Sequence, residues 1–400
     1  MQHDDLVESL RIGFVSAFPP GMNSLNEFGW HAVVNLAAKP EVSEVVLFAD
    51  RSDEGAPTPI PGVDARVAWR FNSVLNPLRI AWQVARSRPD VVMFNLQFAT
   101  FGDTRIAGGL GLLTPFILRL MGVPTVVILH NLVENVDMRD AGFARSPVMA
   151  RLMRTAGTML TKAILQADLV ALTIPRYVEQ LRSKYGGDNI LLAPHGVFDE
   201  IDEPVCDLPA GRRKVLAFGK WGTYKTVEIL IDAYRELLER GYDDVEIVIA
   251  GTDSPNSPGY LAGVRAACVD LDNVTFTGYV AEEDVPRVFT EAAITVFPYT
   301  STTGSSGVLH QAGSFGRCAV LPAIGDFVEV IEEEGFVGEY FEPGDSHSLA
   351  DALAKLLDDD ELRLEQGRRN FAASSGIPMA EVLDWHLLHI RRILDGRAKR

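Results

Sequence analysis

Short apolar runs alternate along this chain with longer stretches in which apolar residues recur every three or four positions. In the first half the apolar runs are RIGFVSAF (11–18), EVVLFA (44–49), DVVMFN (90–95), PTVVILHN (124–131), ADLVALT (167–173) and NILLAPHG (189–196). In the second half they are KVLAFG (214–219), VEIVIAG (245–251), VTFTGY (274–279), ITVFPY (294–299), CAVLPA (318–323) and GEYFEP (338–343). Continuous apolar strands separated by helices are typical of parallel sheets that are covered on both faces. The pattern therefore predicts an α/β protein with two successive Rossmann-like domains.

The stretches with helical periodicity lie between these runs and after the last of them. They are Leu25–Ala38, Pro77–Arg86, Leu110–Met121, Pro147–Gln166, Pro175–Tyr185, Lys225–Arg240, Gly259–Asp270, Glu282–Glu291, Gly307–Phe315, Ser348–Leu357 and Met379–Leu394. An acidic stretch without periodicity, DEIDEPVCDLPAGRRK (199–214), separates the two series. We therefore predict an N-terminal domain at 1–203, a C-terminal domain at 204–377 and a final helix at 378–400 that could pack back on the N-terminal domain.

Composition changes this picture little, because 47% apolar and 23% charged residues are ordinary for a globular protein. The cysteines, Cys206, Cys268 and Cys318, are too far apart for a metal or redox motif. The chain begins without the apolar region of a secretory signal, and its longest apolar stretch, 106–123, contains Arg119 and Pro115. We expect a cytoplasmic protein without a membrane-spanning helix.

The net charge of −17 is unevenly distributed. Residues 1–200 carry −2 and residues 201–400 carry −15, whereas the segment 66–162 carries +7. So acidic a chain is a poor partner for free nucleic acid. The basic segment could still touch an anionic surface.

Small, uncharged residues precede the helix that is predicted at Gly307–Phe315. The segment TSTTGSSG (300–307) follows the apolar run ITVFPY. A helix N-terminus attracts anions through its free backbone N–H groups, and glycine lets a ligand approach the backbone closely. The segment is therefore either a capped Ser/Gly turn or a site for a phosphate.

Two lysines, Lys220 and Lys225, lie in a Gly-containing turn after the first apolar run of the second half, next to Gly219. Taken alone they are solvated surface lysines, but at a strand end in an acidic half they can converge on one doubly charged group. Ligands of open α/β sheets lie at the carboxyl ends of the strands, so the lysines and the bare helix start should face one cleft. The combination suits a diphosphate. No P-loop motif and no clear Asp-x-Asp metal motif occurs.

Strand ends of the first half offer fewer chemical groups. Gly21 and Asn23 follow the first strand in a turn that is structural or binds a ligand. Ser24 and Glu27 have the spacing of a capping box, which indicates a helix start and not a catalytic acid.

The fourth apolar run of the first half ends in His130 and Asn131. A histidine at such a position can donate or accept a proton near neutral pH. The alternative is a histidine that only bonds a nearby carbonyl group.

In this order the motifs resemble those of the GT-B fold, retaining glycosyltransferases of family 4, the glycosyl transferases group 1. The resemblance covers nearly the whole chain. It rests on the first-strand Gly-bearing loop, "HN" at 130–131, "ADLVALT" followed by "LLAPHGVFDE", "FGKWGTYKTVEILIDAYREL", "VTFTGYV", "GVLHQAGSFGRCAV" and "YFEPGDSHSLADAL". It implies two Rossmann-like domains that face a cleft, with a nucleotide sugar in the C-terminal domain and an acceptor in the N-terminal domain.

The resemblance also implies residue roles. Lys220 and Lys225 match the two diphosphate-binding positions, where their charge would stabilise the leaving group, and His130 matches the histidine that reaches the transferred sugar. The donor side would comprise Gly219, Lys220, Lys225, Gly278, Tyr279, Val280, Thr303, Gly304, Ser305, Ser306, Gly307 and Gln311, with the backbone at 279–280 meeting the base. The acceptor side would comprise Gly21, Asn23, His130 and Asn131.

The chain departs from the family at its Glu-x7-Glu signature. The second glutamate is replaced by Gln311 and the first by Thr303. Gln311 can still bond a ribose hydroxyl, but neither residue offers a carboxylate. The donor sugar is therefore left open.

The resemblance therefore implies a metal-independent, retaining hexosyltransferase that moves a sugar from a nucleotide-diphosphate sugar to a glycan, lipid-linked or small-molecule acceptor. No cofactor, metal or nucleic acid is expected, and residues 147–166 could make a weak peripheral contact with the inner face of a membrane. One alternative is a catalytically weak GT-B protein that serves as a nucleotide-sugar-binding or scaffolding subunit. The other is a nucleotide-sugar epimerase on the same fold, for which few acid/base residues occur in the cleft motifs.

Overall fold

A computed structural model describes residues 9–21, 23, 25–132, 147–198, 207–254, 257–301 and 306–398, with the backbone alone at 147–154, 282, 326 and 330. The chain divides into two compact units. Unit 1 comprises Met1–Gly196 and Met379–Arg400, and unit 2 comprises Val197–Pro378. Unit 2 is one continuous stretch of chain, whereas unit 1 is made of two.

Unit 1 contains a seven-stranded parallel sheet in the order β3-β2-β1-β4-β5-β6-β7. Its strands are β1 (Leu10–Ser16), β2 (Val42–Asp50), β3 (Val63–Trp69), β4 (Val91–Leu96), β5 (Thr125–Leu129), β6 (Leu169–Leu172) and β7 (Ile190–Leu192). Its helices are α1 (Asn26–Ala38), α2 (Asn76–Ser87), α3 (Arg105–Leu112), α4 (Thr114–Leu120), α5 (Pro147–Ile164), α6 (Pro175–Tyr185) and α14 (Met379–Ala398). The central strands are buried along their whole length because helices cover both faces of the sheet.

Unit 2 contains a six-stranded parallel sheet in the order β10-β9-β8-β11-β12-β13. Its strands are β8 (Arg213–Trp221), β9 (Val245–Asp253), β10 (Val274–Gly278), β11 (Ala292–Val296), β12 (Ala319–Pro322) and β13 (Glu339–Phe341). Its α-helices are α7 (Glu228–Glu239), α8 (Tyr260–Ala267), α9 (Val285–Thr290), α10 (Gly307–Ser314), α11 (Gly325–Glu334), α12 (Ser346–Asp358) and α13 (Asp360–Ser375). A 3-10 turn at Glu282–Asp284 leads into α9.

Both apolar series predicted from the sequence are present as parallel sheets, so the predicted α/β class with two Rossmann-like units is confirmed. The final helix is also present, and α14 packs against α1, with an ion pair of 2.6 Å between Lys39 and Asp384. Its last turn reaches the sheet of unit 1, where Arg397 and Arg119 both bind the carboxylate of Asp168.

Several element boundaries differ from the pattern. Helix α7 begins at Glu228, so Lys225 lies in the turn before it. The helix predicted at 110–121 is two helices, because α3 ends at Leu112 and Pro115 starts the next one. Strand β3 and helices α11 and α13 were not predicted at all.

The capping box predicted for the first helix includes Ser24, which lies outside the described residues. Among the described residues, α1 has Leu25 as its N-cap, in the left-handed region at φ 69°, without a side-chain cap. A side-chain amide supports this turn instead, since Asn26 donates to the Gly21 carbonyl at 2.8 Å.

No helix in the described part of the chain is long and apolar enough to cross a membrane.

Candidate functional site

Strands β8 and β9 end side by side in unit 2, and only glycine fits where they meet. Their register pairs Gly219, Lys220 and Trp221 with Gly251, Thr252 and Asp253. A Cβ atom on Gly251 would lie 1.9 Å from the Gly219 carbonyl oxygen, and Gly251 has a φ of 109°. The close approach brings the backbone of both strand ends to one place, from which the turn with the two lysines departs.

Lys225 lies over the end of β8 and is held there by an aromatic ring. Its Nζ is 4.5 Å from the ring centroid of Tyr299, and the backbones of these two residues form an antiparallel bridge. A Cβ atom on Gly219 would be 3.7 Å from the same Nζ. Lys220 is half-buried and is the second-to-last residue of β8. The structure therefore positions both predicted lysines at one strand end.

The lysine turn is tied to the segment that leads to α10. The backbone N–H of Thr300 donates to the Tyr224 carbonyl at 2.9 Å, and the Thr300 hydroxyl donates to the same oxygen at 3.1 Å. Thr300, the first residue of the Ser/Gly segment, thus lies against the lysine turn at the carboxyl edge of the sheet. Thr303, Gly304 and Ser305 lie outside the described residues, so their predicted contacts are not placed.

Helix α10 begins at Gly307, as predicted, and Ser306 is its N-cap, accepting from the backbone N–H of Leu309 at 3.4 Å. Gln311 is the fifth residue of the helix and is buried. Its neighbour His310, which the sequence did not single out, pairs with Glu334 of α11 at 2.8 Å. This pair fixes α10 to α11 and so holds Gln311 in place.

The end of β10 carries the predicted base-contacting segment. The strand ends at Gly278, whose φ of 72° turns the chain, and the side chain of Tyr279 is exposed. Tyr279 and Val280 line a cavity of about 280 Å³ together with residues of β8, β9 and α9. The cavity wall combines apolar groups with charged groups of both signs, among them the ion pair of Lys214 with Glu291 at 2.7 Å.

His130 follows β5 in unit 1 and is buried, with its Nε2 2.8 Å from Oδ1 of Asn95. The Asn95 amide nitrogen donates to the Leu25 carbonyl at 3.2 Å and to the Ser16 hydroxyl at 2.9 Å, whose own proton goes to the Ala17 carbonyl. Both partners accept from Asn95, so its oxygen must face His130. His130 therefore donates from Nε2, which leaves Nδ1 as a hydrogen-bond acceptor.

Burial lowers the pKa of His130 to about 3, so its ring is neutral near pH 7. Two aromatic rings flank it, Phe28 at 4.6 Å and His195 at 5.5 Å between centroids. His195 donates from Nδ1 to the Gly196 carbonyl at 3.0 Å. His195 was not predicted, although it closes the last apolar run of the first half just as His130 closes the fourth.

The first-strand loop is held by a buried carboxylate that the sequence analysis missed. Asp50, at the end of β2, accepts from the backbone N–H of Phe18 at 2.9 Å and from the side-chain amide of Asn23 at 2.5 Å. A Cβ atom on Gly21 would lie 3.3 Å from Oδ2 of Asp50. Burial raises the pKa of Asp50, while the two hydrogen bonds oppose that rise. The other predicted residue of this unit, Asn131, accepts from the backbone N–H of Phe98 at 2.9 Å.

The predicted residues that the structure describes therefore form two clusters, one at the carboxyl edge of each sheet. The cluster of unit 2 is cationic, with lysines beside a helix N-terminus. The cluster of unit 1 has no cationic side chain among these residues and combines a neutral histidine, amides and the buried carboxylate of Asp50. No group of three His, Cys, Asp or Glu side chains in the described ranges is arranged to hold a metal ion.

These features agree with comparisons to known proteins. Residues 212–359 match the family model described as "Glycosyl transferases group 1". The chain is 29% identical over 282 residues to the alpha-D-kanosaminyltransferase of Streptomyces kanamyceticus, which covers 62% of this chain and 65% of that relative. Aligned stretches span 39 to 65% of the length of the curated relatives.

Solved structures match over almost the whole chain. The sucrose-phosphate synthase of Thermosynechococcus elongatus superposes with a TM-score of 0.75 at 18% identity, covering 97% of this chain and 100% of that one. HepE of Anabaena, solved in complex with UDP-glucose, has a TM-score of 0.65 at 16% identity and covers 98% and 100%.

The chain has the GT-B fold. Residues 212–359 of unit 2 are similar to the glycosyl transferases group 1 model, and the resemblance to GT-B glycosyltransferases that the motifs indicated is confirmed.

Proposed function

We propose that this protein is a retaining, metal-independent hexosyltransferase of the family 4 type, which uses a nucleotide-diphosphate sugar and needs no cofactor. The observation that carries the proposal is Lys225, which lies over the end of β8 against the Tyr299 ring. Its neighbour Tyr224 accepts from the Thr300 hydroxyl and so ties the lysine turn to the segment before α10. Cationic side chains beside a helix N-terminus suit a diphosphate. The UDP-glucose complex of HepE supports a UDP-sugar donor, and the kanosaminyltransferase relative supports glycosyl transfer.

Transfer would begin with cleavage of the bond between the sugar's anomeric carbon and the diphosphate oxygen. Negative charge then grows on the diphosphate, where Lys220, Lys225 and the N–H groups at the start of α10 would stabilise it. The acceptor hydroxyl would form the new C–O bond on the face that the diphosphate leaves, and its proton would pass to the departing phosphate oxygen. Configuration at the anomeric carbon is then retained.

His130 would serve the transferred sugar as a hydrogen-bond acceptor and not as an acid. Its Nε2 proton is committed to Asn95, and its ring stays neutral because burial holds its pKa at about 3. A neutral Nδ1 can accept from a sugar hydroxyl. Gly21, Asn23 and Asn131 would line the acceptor side, with Asp50 holding the loop that carries the first two.

Gln311 would bond a ribose hydroxyl, and the backbone of 279–280 would meet the base. Thr303, Gly304 and Ser305 stay predictions for the sugar and the diphosphate. The acceptor would be a glycan, a lipid-linked sugar or a small molecule, in polysaccharide biosynthesis on the cytoplasmic side of a membrane. A cytoplasmic location rests on the sequence, and weak membrane contact through 147–166 is part of the same proposal.

Thermal unfolding with UDP-, GDP- and ADP-sugars tests the donor site. A ligand at about 100 times its Kd stabilises the native state by roughly 2.7 kcal/mol, so one nucleotide series should raise the Tm by several degrees. NMR of the transfer product then reports its anomeric configuration, and EDTA should leave the rate unchanged. No Tm shift with any nucleotide would remove the donor site.

The replaced acids support a second candidate, a catalytically weak nucleotide-sugar-binding or scaffolding subunit. By the resemblance of the motifs, Gln311 and Thr303 stand where the family has its two glutamates, and neither offers a carboxylate. Donor hydrolysis without an acceptor separates the two candidates, because the enzyme should release nucleoside diphosphate slowly and the scaffold should release none.

A further inference from the structure

Large apolar side chains are exposed on α2, on α3 and in the turn before α2. The most exposed are Ile106 at 70%, Leu78 at 67% and Trp82 at 57%. The full set, called the α2–α3 surface below, is Val74, Leu75, Leu78, Trp82, Ile106 and Leu110. An apolar set of this size on the outside of a helical layer marks an interaction site more often than chance exposure.

Asn72 joins the two turns that carry this surface. Its side-chain amide donates to Asp103 at 2.7 Å, and its oxygen accepts from the backbone N–H of Thr104 at 3.1 Å. Its own N–H donates to the Phe101 carbonyl at 2.9 Å. A Cβ atom on Gly102 would lie 2.3 Å from the Asn72 oxygen, so only glycine permits this contact. The start of α2 and the start of α3 are therefore neighbours on one platform, and α2 packs against α3 beyond it.

The charge around the platform is positive. Residues 70–110 contain five arginines and two aspartates. Arg70, Arg79 and Arg86 are exposed, and the Arg86 guanidinium stacks on Trp82 at 4.8 Å from the ring centroid. Arginine beside exposed tryptophan and aliphatic residues is the composition of a surface that enters the headgroup region of an anionic bilayer.

The platform is continuous with the acceptor-side cluster. The loop that joins β4 to α3 runs from residue 97 to Thr104. Near its start, the backbone N–H of Phe98 donates to the side chain of Asn131, one of the acceptor-side residues. Both α2 and α3 start at the carboxyl edge of the sheet, since they follow β3 and β4. A bilayer against the α2–α3 surface would thus lie beside the carboxyl edge of the sheet, where His130 follows β5.

We propose that the α2–α3 surface docks on an anionic lipid bilayer and presents the acceptor side of unit 1 to a lipid-linked acceptor. The part that concerns the acceptor rests on the proposed function, whereas docking does not. Apolar side chains at the boundary of headgroups and acyl chains provide affinity, and the arginines select anionic lipid, each strengthening binding about fivefold.

This surface differs from the one that the sequence indicated at 147–166. Among the described side chains of α5, those of Thr161 and Ile164 are buried. Those of Met159 and Lys162 are exposed. Helix α5 packs against α3 and α4, so its exposed residues can border the α2–α3 surface. The centre of the proposed contact is nevertheless α2 and α3.

Sedimentation with vesicles tests the docking, using phosphatidylglycerol-containing and pure phosphatidylcholine vesicles at low and high salt, without nucleotide sugar. The protein should bind the anionic vesicles at least tenfold more strongly than the neutral ones and lose most of this preference at high salt. The double variant Leu78→Ser/Ile106→Ser should bind anionic vesicles about tenfold more weakly. Arg79→Gln should weaken binding several-fold at low salt only.

Matched controls are Val269→Ser/Leu388→Ser, which removes two apolar side chains exposed on α14 and in unit 2, and Arg369→Gln, an exposed arginine of unit 2. Both should bind as the unchanged protein does. Equal binding to the two vesicle types, or full binding by Leu78→Ser/Ile106→Ser, overturns the proposal. Light scattering that shows an oligomer, dissociated by the same double variant, would assign the surface to contacts between copies. Vesicle binding in a protein that transfers no sugar would refute the proposed function and keep the docking.

Discussion

The two units share a fold but differ in what their surfaces present. Unit 2 carries 33 Asp and Glu against 14 Lys and Arg, a net charge of −19, whereas unit 1 carries 21 against 23, a net charge of +2. Of the 17 large apolar side chains that are exposed among the described residues, 13 belong to unit 1. An acidic surface repels free nucleotide sugars except where cations are concentrated, so under the proposed function Lys220 and Lys225 would mark where the diphosphate of the donor binds. A near-neutral, apolar surface instead favours an uncharged or amphipathic partner. Under the proposed function, charge would select the donor in unit 2, and apolar contact would select the acceptor in unit 1.

The largest expected effect, and the most direct test of the difference between the units, comes from substitution of the two lysines. Lys225→Ala should weaken binding of the nucleoside diphosphate by roughly 1.5–3 kcal/mol, about ten- to a hundredfold, because a charge-assisted contact is lost. Calorimetric titration measures the effect, and Lys220→Ala should act in the same direction. Lys355→Ala is the control, since Lys355 is an exposed lysine of the same unit that pairs with Glu339. An unchanged Kd in both site variants removes the diphosphate assignment.

Unit 1 should affect turnover more than donor binding. His130→Ala should lower kcat at least tenfold and leave the Kd for nucleoside diphosphate nearly unchanged, because the residue belongs to the other unit. His386→Ala removes another buried histidine of unit 1, one whose pKa burial also lowers to about 3. This control should lose stability without a specific loss in kcat. Equal losses of affinity and turnover in His130→Ala would assign it a structural role.

The pH dependence of turnover can sharpen the role of His130. With a pKa of about 3 the ring stays neutral as the pH falls from 8 to 5, so its Nδ1 remains an acceptor. Asn95→Asp places a carboxylate on Nε2, which raises the pKa of His130 and protonates Nδ1 as the pH falls. We expect kcat of this variant to drop several-fold between pH 8 and pH 6, while the unchanged protein shows no such drop from this group. Nitrogen NMR of His130 provides a second readout, because a proton on Nδ1 in the unchanged protein would contradict the assigned tautomer.

The smallest expected effect concerns Gln311. Gln311→Glu should preserve nucleotide-sugar binding or strengthen it by up to about 1 kcal/mol, since a carboxylate accepts from two ribose hydroxyls. Titration of the donor measures the change, and Gln311→Met is a control of similar size without polar atoms. Markedly weaker binding by Gln311→Glu at unchanged stability would mean that a phosphate, and not the ribose, lies next to this residue.

The sequence predicted the sheets and the α10 start well because both have local signals. Apolar runs report strands that are buried on both faces, and Ser306-Gly307 before a helical period reports an N-terminus. Strand β3 has no such run, because VDARVAW lies at the sheet edge and alternates charged with apolar residues. Helix α13 was missed because its own residues are polar or charged on most of its faces, so no apolar stripe with helical periodicity marks it.

The site residues divide in the same way. Lys220 and Lys225 stand next to the strand end in sequence, so their place could be predicted. Asn95 and Asp50 act on residues 35 and 32 positions away, and such pairs form only when the sheet brings strand ends together. The sequence feature that could have identified both residues is a polar residue at the end of an apolar run, Asp50 in EVVLFAD and Asn95 in DVVMFN. The tautomer of His130 had no sequence signal, because it depends on which way one buried amide is turned.

The return of α14 to unit 1 has a consequence for how the chain is made. Unit 2 is contiguous and can fold as soon as Pro378 has left the ribosome, with the nascent unit 1 still lacking its last helix. Until α14 emerges, α1 packs on the sheet but lacks its helical neighbour, and Asp168 lacks the guanidinium of Arg397. Unit 1 is therefore complete only after the whole of unit 2 has been synthesised, so the half of the protein that is synthesised first is finished last.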